Sequence, residues 1–284
     1  MNRRRCKFLW FAGAQLCCAA VAAVIGCGEA YVAPVVLDTT GVRPAADYGD
    51  LAAVLQSAFV TKRSVRQHRF IDPDAAVELA SRLDTQLKRL AVTGPGATPQ
   101  LFPTAEARLA YWYNARAAWA LKLAMLKEFP RKLARGEFYT RRFPLDGRQA
   151  TLQEIDAILA ADSDWRTLAA APCVTLQRAR LPAEPFGEKD IREQIARRLG
   201  DFIDDDERFV ISVARKEIRV PPVIWRFEQI LRESHEAACG TCDSTLTTAL
   251  LPYVAGPPHR RLQDAIGYRC VPAPAAYEVA LEKE

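Results

Sequence analysis

The sequence contains few histidines, no long run of like charge, no internal repeat and no linker that would divide it into domains. With only three histidines, His68, His235 and His259, there are few candidates for a general base beside a nucleophile. The absence of basic runs and of interleaved basic and aromatic residues argues against nucleic-acid binding. Half of the residues are hydrophobic, so the chain can bury a full core and is not intrinsically disordered.

The positive net charge comes from the first few residues. Arg3, Arg4, Arg5 and Lys7 precede an almost uncharged apolar stretch over residues 8–26, which is the pattern of an export signal. Without this segment the 39 lysines and arginines lose four members, which leaves 35 against 34 aspartates and glutamates. The remaining chain is therefore nearly neutral, and its charge predicts no nucleic-acid partner.

The apolar stretch ends in Val24, Ile25, Gly26 and Cys27, which together resemble the lipobox of bacterial lipoproteins. The resemblance implies cleavage before Cys27 and lipidation of its thiol, so that the membrane is a partner through a lipid anchor. It predicts a periplasm-facing protein of the cell envelope. Gly28 stands where an aspartate often signals inner-membrane retention, which favours the outer membrane if the host has one. The alternative is an anchor helix that stays uncleaved.

Four cysteines remain beyond Cys27, and in an oxidising compartment they would pair in one of three ways. The Cys239-Gly-Thr-Cys242 motif has the C-x-x-C spacing of redox and metal sites and is the most specific local motif in the sequence. We predict structural disulfides among Cys239, Cys242 and Cys270. A redox site at Cys239 and Cys242 is an alternative, although the strand-turn-helix context of such sites is missing. A zinc site completed by Cys270 and His259 is another, with permissive spacing. No cofactor is predicted.

The pattern along the chain predicts a short tether over residues 27–47 and one globular domain over residues 48–284. A buried strand is expected at residues 167–174, and a hairpin that turns at Asp146-Gly147 is expected at residues 138–149. Residues 209–213 and 218–220 are expected to form a pair of strands. One expected helix begins at Asp72 and has an apolar stripe through Val77, Leu83 and Leu87. The next begins after Pro103 and runs to Phe129, and because it is apolar almost all round we expect it in the centre of the domain. A third begins at Thr151, and others lie at residues 188–203, 225–231, 245–254 and 260–266. These elements predict an α+β fold dominated by helices, with few short strands.

In their order, several short segments resemble the uncharacterised domain-of-unknown-function family 547, over about residues 50–280. They are residues 107–115 (ARLAYWYNA), residues 151–156 (TLQEID), Arg166 with Cys173, residues 184–186 (EPF), and Val220-Pro221 with Phe227. The resemblance implies that Asn114, Cys173 and an acid at Asp156 belong to the site of the family.

The chain departs from the family pattern at several of these positions. Leu168 stands where the family has a histidine five residues before its first cysteine, and Arg178-Ala179 stands where it has a Cys-Pro pair. Ala117 replaces a second asparagine, and Asp156 is the shorter of the two acids. A thiol without a histidine is mostly protonated at neutral pH, because its reference pKa is about 8.5. The family site is therefore predicted to be degenerate.

These observations predict an envelope lipoprotein that acts as a non-catalytic binding module for an unknown envelope ligand or protein. The main alternative is a thiol-dependent hydrolase or acyl transferase in which Cys173 is the nucleophile and Asn114 and Asp156 orient the substrate. That enzyme requires a histidine near Cys173 in a cleft. The binding module instead expects Cys173 to be buried or paired, and it expects Asn114 to hold a loop against the core.

Overall fold

Helices account for most of the regular structure in the computed structural model, which describes residues 32–61, 69–240, 243–274 and 277–281. In this part of the chain they are α1 (Gly49–Ser57), α2 (Pro73–Glu78), α3 (Ala80–Val92), α4 (Ala105–Met125), α5 (Arg135–Thr140) and α6 (Leu152–Ala160). They continue with α7 (Arg166–Ala169), α8 (Ile191–Asp204), α9 (Pro222–Trp225), α10 (Glu228–Cys239), α11 (Leu246–Leu250) and α12 (Pro257–Asp264). Short 3₁₀ turns lie at Pro99–Leu101 and Leu251–Tyr253.

The strands of the described residues form three small sheets. They are β1 (Phe59–Thr61), β2 (Arg69–Ile71), β3 (Phe143–Leu145), β4 (Arg148–Ala150), β5 (Val210–Ser212), β6 (Glu217–Val220) and β7 (Arg269–Pro272). The pairs β1-β2, β3-β4 and β5-β6 are antiparallel, whereas β7 joins the edge of β6 in parallel. Small sheets among many helices confirm the predicted helix-dominated α+β fold.

Helix α4 lies in the centre of the domain and packs against α3, α6 and α8. Tyr111, Tyr113 and Trp119 are fully buried, and the Trp119 ring stacks on Phe143 with 4.2 Å between the ring centroids. The helix is apolar almost all round, as expected of a helix surrounded by other elements. It ends four residues before the predicted end at Phe129, because Glu128 and Phe129 adopt positive φ angles.

The local signals that start helices and turns are confirmed. The Asp72 carboxylate accepts hydrogen bonds from the backbone of Asp74 and Ala75, and the Thr151 hydroxyl accepts one from Glu154 N. Asp146 and Gly147 have φ angles of 54° and 72°, which is the two-residue turn that favours a hairpin. The strands it joins are shorter than predicted, and α5 occupies the beginning of the predicted hairpin.

The single helix predicted from Asp72 is interrupted at Leu79. Helix α2 ends at Glu78 and α3 begins at Ala80, so the apolar stripe does not continue through the break. Val77, predicted to lie on that stripe, is 57% exposed, whereas Leu83 and Leu87 are fully buried. The prediction extended the apolar spacing of α3 across the break at Leu79.

The buried strand predicted at residues 167–174 is wrong. The segment is buried as expected, but it begins as helix α7 and continues as irregular chain, with one bridge from Pro172 to Ala179. Asp164 accepts a hydrogen bond from Arg166 N at the helix start. The alanines that follow favour a helix, and among the described residues no strand lies beside them to complete a sheet.

The folded domain begins earlier than residue 48. Residues 32–47 contain no helix or strand, yet Val35 is buried and its N–H donates to Arg142 O at 2.8 Å. Further along, Ala45 N donates to Thr93 Oγ1, and Gln86 Nε2 donates to Asp47 O. Most of the predicted tether therefore lies against the domain.

Candidate functional site

A cavity of about 450 Å³ opens beside helix α6, between α5 and α9. Gln153, Asp156, Ala157 and Ala160 line one side of it, and their spacing places them on a single face of α6. The other lining residues come from α5, α9 and two irregular segments: Arg135, Tyr139, Gln177, Arg178, Pro222, Val223, Arg226 and Tyr277. The wall is therefore mixed, with an excess of positive charge.

Asp156 connects the cavity wall to the core through two arginines. Its Oδ1 accepts from Arg116 Nε at 2.7 Å, and its Oδ2 accepts from Arg178 Nη2 at 2.7 Å. The Arg116 side chain is fully buried in α4 and also donates to Pro172 O. The Asp156 and Arg178 side chains are each 14% exposed, toward the cavity. The three charges form one network at the bottom of the site.

This network keeps its members charged. Burial by itself would raise the pKa of Asp156, but Arg116 and Arg178 outweigh burial and hold the pKa below its ordinary value of 3.8. Burial would likewise lower the pKa of Arg116, and Asp156 outweighs it and raises the pKa above its ordinary value. At neutral pH the network is therefore one carboxylate between two guanidinium groups.

Arg135 and Arg226 lie at the mouth of the cavity and are exposed. The Arg135 guanidinium lies 5.8 Å from the Tyr277 ring centroid, and that of Arg226 lies 5.4 Å from the Phe227 ring centroid. Within the described ranges, neither arginine forms a salt bridge. Burial raises the pKa of Tyr139 to about 12, so its hydroxyl stays protonated and can donate into the cavity.

Cys173 lies behind the cavity wall and not on it. Its residue is 1% exposed, its N–H donates to Ala179 O at 2.8 Å, and its neighbours line a void of only about 10 Å³. It is close enough to Arg116 and Arg178 to interact with them electrostatically. The binding interpretation predicted a buried or paired cysteine, and the thiol is buried and free.

The two histidines that the structure describes are bound elsewhere. His235 contacts Ser244 and Cys239, and the His259 ring lies 3.3 Å from the carbonyl oxygens of Leu251 and Val254. His68 lies outside the described residues. In the described part of the chain, no histidine is hydrogen-bonded to Cys173.

Asn114 faces away from the cavity. Its Oδ1 accepts from Phe186 N at 2.8 Å, and its Nδ2 donates to Phe186 O at 3.0 Å. Asn114 and Arg116 are two residues apart on one helix, so their side chains point in nearly opposite directions. Of the three predicted catalytic residues, the structure places only Asp156 on the cavity.

The sequence interpretation missed Arg116 and Arg178. Arg116 in the middle of the apolar helix α4 was a signal, because a buried guanidinium requires an anionic or carbonyl partner. Arg178 occupies the position where the resemblance expects a cysteine, and it bonds both to Asp156 and, at 3.4 Å, to Leu168 O. Leu168, which stands where the resemblance expects a histidine, is fully buried.

The predicted cysteine cluster is only partly described. Cys239 is exposed and Cys270 half-buried, and both are free thiols, while Cys242 and Cys27 lie outside the described residues. Cys270 Sγ lies 3.3 Å from Thr247 Oγ1, and burial raises the pKa of its thiol. The predicted disulfides and the lipidation of Cys27 remain predictions. No group of three metal-ligating side chains occurs in the described ranges.

The chain matches no family model, no curated protein and no solved structure with which it was compared. Among the described residues, none of the helices combines the length and the apolar character needed to cross a bilayer. The geometry of the cavity is therefore the main evidence for function.

Proposed function

We propose that this chain is an envelope lipoprotein whose domain binds a small organic anion in the cavity beside α6. One observation carries the proposal: two exposed guanidinium groups, Arg135 and Arg226, lie at the cavity mouth and form no salt bridge within the described residues, although Arg226 interacts with Asp156 at longer range. Below them, Arg178 reaches the wall with its charge only partly balanced, since Asp156 is shared with Arg116. An anion would complete this set of charges.

The chemistry of the wall supports binding without catalysis. Both oxygens of Asp156 already accept from arginines, and its pKa is lowered, so it is a weak general base. The Cys173 thiol is separated from the cavity by the wall. No lining residue of the described cavity offers an activated nucleophile, in agreement with the proposed binding role.

The size and wall of the cavity suggest the class of ligand. A volume of about 450 Å³ is in the range of small-molecule sites. Tyr139, Tyr277 and Val223 offer flat and apolar surface, while the arginines offer donors for a carboxylate or a phosphate. We therefore propose a ligand with a ring or apolar body and one anionic group, and the tests below compare carboxylate and phosphate.

Replacing Arg226 or Arg135 with glutamine is expected to weaken binding of benzoate and phenyl phosphate by about tenfold each. A charge-assisted hydrogen bond contributes about 1.5–3 kcal/mol, and 1.4 kcal/mol is tenfold in affinity. Isothermal titration calorimetry at low salt measures the effect, and added salt should weaken binding further. Both side chains are exposed, so circular dichroism should show an unchanged fold.

Two controls make the binding test specific. Arg215→Gln removes an exposed arginine in the β5-β6 turn, away from the cavity, and should leave affinity unchanged. Benzamide has nearly the shape of benzoate without its charge and should bind much more weakly. Equal affinity for benzamide and benzoate, or an equal loss in Arg215→Gln, would contradict an anion site.

Lipidation of Cys27 is tested in the host that makes the protein. Growth with an alkyne-tagged fatty acid should label the chain, and Cys27→Ser should abolish the label. Cys18→Ser, inside the apolar stretch, is the matched control and should keep the label. A label that persists in Cys27→Ser, or that is absent from the unaltered chain, would contradict the anchor.

A further inference from the structure

A cysteine, a histidine and a serine meet at the end of helix α10, away from the cavity beside α6. Cys239 is the last residue of the helix and His235 lies one turn before it, with 3.6 Å between Cys239 Sγ and His235 Nε2. On the other side of the ring, His235 Nδ1 lies 2.7 Å from Ser244 Oγ. Cys239 is exposed, whereas Ser244 is buried. The ring is therefore held between an accessible thiol and a fixed hydroxyl.

The serine is held in place by the helix itself. Ser244 N donates to Glu236 Oε1 at 3.0 Å, and Ser244 O accepts from Arg232 Nε at 2.6 Å. Both backbone groups of Ser244 are thus bonded to side chains of α10. Gly240, in the αL conformation, ends the helix, and the hydroxyl of Ser244, four residues later in the sequence, lies at the imidazole.

In this arrangement Cys239 has the position of a nucleophile, His235 that of its base and Ser244 that of a group that orients the base. In the tautomer with its hydrogen on Nδ1, the imidazole donates to Ser244 Oγ, and its Nε2 accepts from the Cys239 thiol. A base held in this way can remove the thiol proton, and the thiolate is the reactive form of cysteine.

Among the described residues, the charged groups near the imidazole come mainly from α10 and from Asp243. Arg232 is paired with Glu228 at 2.9 Å, Glu236 is bonded to Ser244 N, and Asp243 lies near Arg232. Helix α11, which packs against α10, carries no charged residue. Within the described residues, no carboxylate hydrogen-bonds to the His235 ring, whose partners are the thiol and the hydroxyl.

We propose that Cys239 is the nucleophile of a thiol–disulfide exchange reaction, with His235 as its base and Ser244 as a positioning residue. Acyl transfer would require hydrogen-bond donors for an oxyanion and a cleft for the substrate. Cys239 lines neither the cavity beside α6 nor the small void at Cys173. Attack on a disulfide requires only access to sulfur, and an exposed helix end offers that access to a small or a protein disulfide.

The reaction balances without a further oxidant. His235 Nε2 takes the Cys239 thiol proton, and the thiolate attacks one sulfur of the substrate disulfide. A new S–S bond forms at Cys239 Sγ while the substrate S–S bond breaks. The leaving thiolate departs with the electron pair and takes the proton back from the imidazolium. A second thiol can then release the mixed disulfide by the same chemistry.

The test measures how fast Cys239 forms a mixed disulfide with oxidised glutathione. The full-length chain carrying Cys242→Ser is used, so that no bridge to Cys242 can hide Cys239, and peptide mapping by mass spectrometry resolves each cysteine. In this background, His235→Gln should slow the reaction of Cys239 at neutral pH by about tenfold or more. Ser244→Ala should slow it by less.

His259→Gln is the matched control, because that histidine bonds only to carbonyl groups in the described structure. It should leave the rate of Cys239 unchanged, and Cys270 should react slowly in every variant. The rate of Cys239 should also rise more steeply with pH in His235→Gln, which a purely structural histidine would not cause. Equal rates and pH profiles with and without His235, or a Cys239 that reacts no faster than half-buried Cys270, would overturn the proposal.

Discussion

Replacing Asp156 with alanine is expected to lower the free energy of unfolding by about 3–5 kcal/mol at neutral pH. The substitution leaves Arg116 fully buried and Arg178 mostly buried, both without their anion. A buried charge without a partner is among the most destabilising changes in a protein, because the desolvation cost remains after the attraction is lost. Urea unfolding followed by circular dichroism measures the difference.

Glu154→Ala is the matched control, two residues earlier on the same helix. Glu154 pairs with Arg148 at 2.9 Å, but the two side chains are 39% and 48% exposed, so solvent screens the pair. Its loss should cost at most about 1 kcal/mol. If Asp156→Ala and Glu154→Ala destabilised the domain equally, the buried network would not have the role described here.

The unaltered chain and Asp156→Ala are also expected to differ in how their stability responds to acid. The pKa of Asp156 is lower in the folded chain than its ordinary 3.8, so the folded state binds its proton more weakly than the unfolded state does. Its contribution is therefore fully present above that ordinary value and is lost as the pH falls through the folded pKa. The stability difference between the unaltered chain and Asp156→Ala should be constant near neutral pH and shrink in acid. A constant difference in acid would contradict the lowered pKa.

Replacing Asn114 with alanine is expected to cost about 3 kcal/mol of unfolding free energy. Both backbone groups of Phe186 would lose their partner in a buried place, and an unsatisfied buried group costs about 1–3 kcal/mol. Chemical unfolding measures the loss, and hydrogen exchange of the Phe186 amide should become faster. The Phe186 ring packs edge-on against Tyr113, with 4.7 Å between their ring centroids. The loop that contains Phe186 should therefore be the first part of the chain in which hydrogen exchange becomes faster.

The control for this second substitution is Gln229→Ala. Gln229 is also a helical amide, but it is exposed, and within the described structure its side chain donates only to Glu233, at 2.8 Å. Its loss should change stability by about 0.5 kcal/mol or less. The idea that Asn114 is a structural clamp would be wrong if Asn114→Ala left both stability and Phe186 exchange unchanged. The Asn114 side chain would then be available for another role, such as orienting a ligand.

Features that depend on neighbouring residues could be predicted well. The helix caps could be predicted because Asp72 and Thr151 lie within three residues of the backbone N–H groups that they bond. The hairpin could be predicted because the Asp146-Gly147 pair forms the turn between its two strands. The central position of α4 could also be predicted, because an apolar helix surface is stable only where other elements cover it.

Features that join distant residues could not be predicted in this way. Strand β7 pairs with β6 although about 50 residues separate their partners in sequence, such as Glu217 and Arg269. The segment at residues 167–174 was recognised as buried, but burial alone does not decide between helix and strand. That choice depended on whether a neighbouring strand was available in the fold.

The same division holds for the candidate sites. By itself, the sequence determined that Asn114 needs a partner in the core, that Cys173 lacks a nearby histidine along the chain, and that Asp156 is ionisable. Only the tertiary structure decided that Arg116 and Arg178 share Asp156 beside a cavity, and that Ser244 orients His235 toward Cys239. The physical reason is that a side chain's chemistry is set by its residue type, whereas its partners are set by packing between segments that are far apart in the chain or joined by a turn.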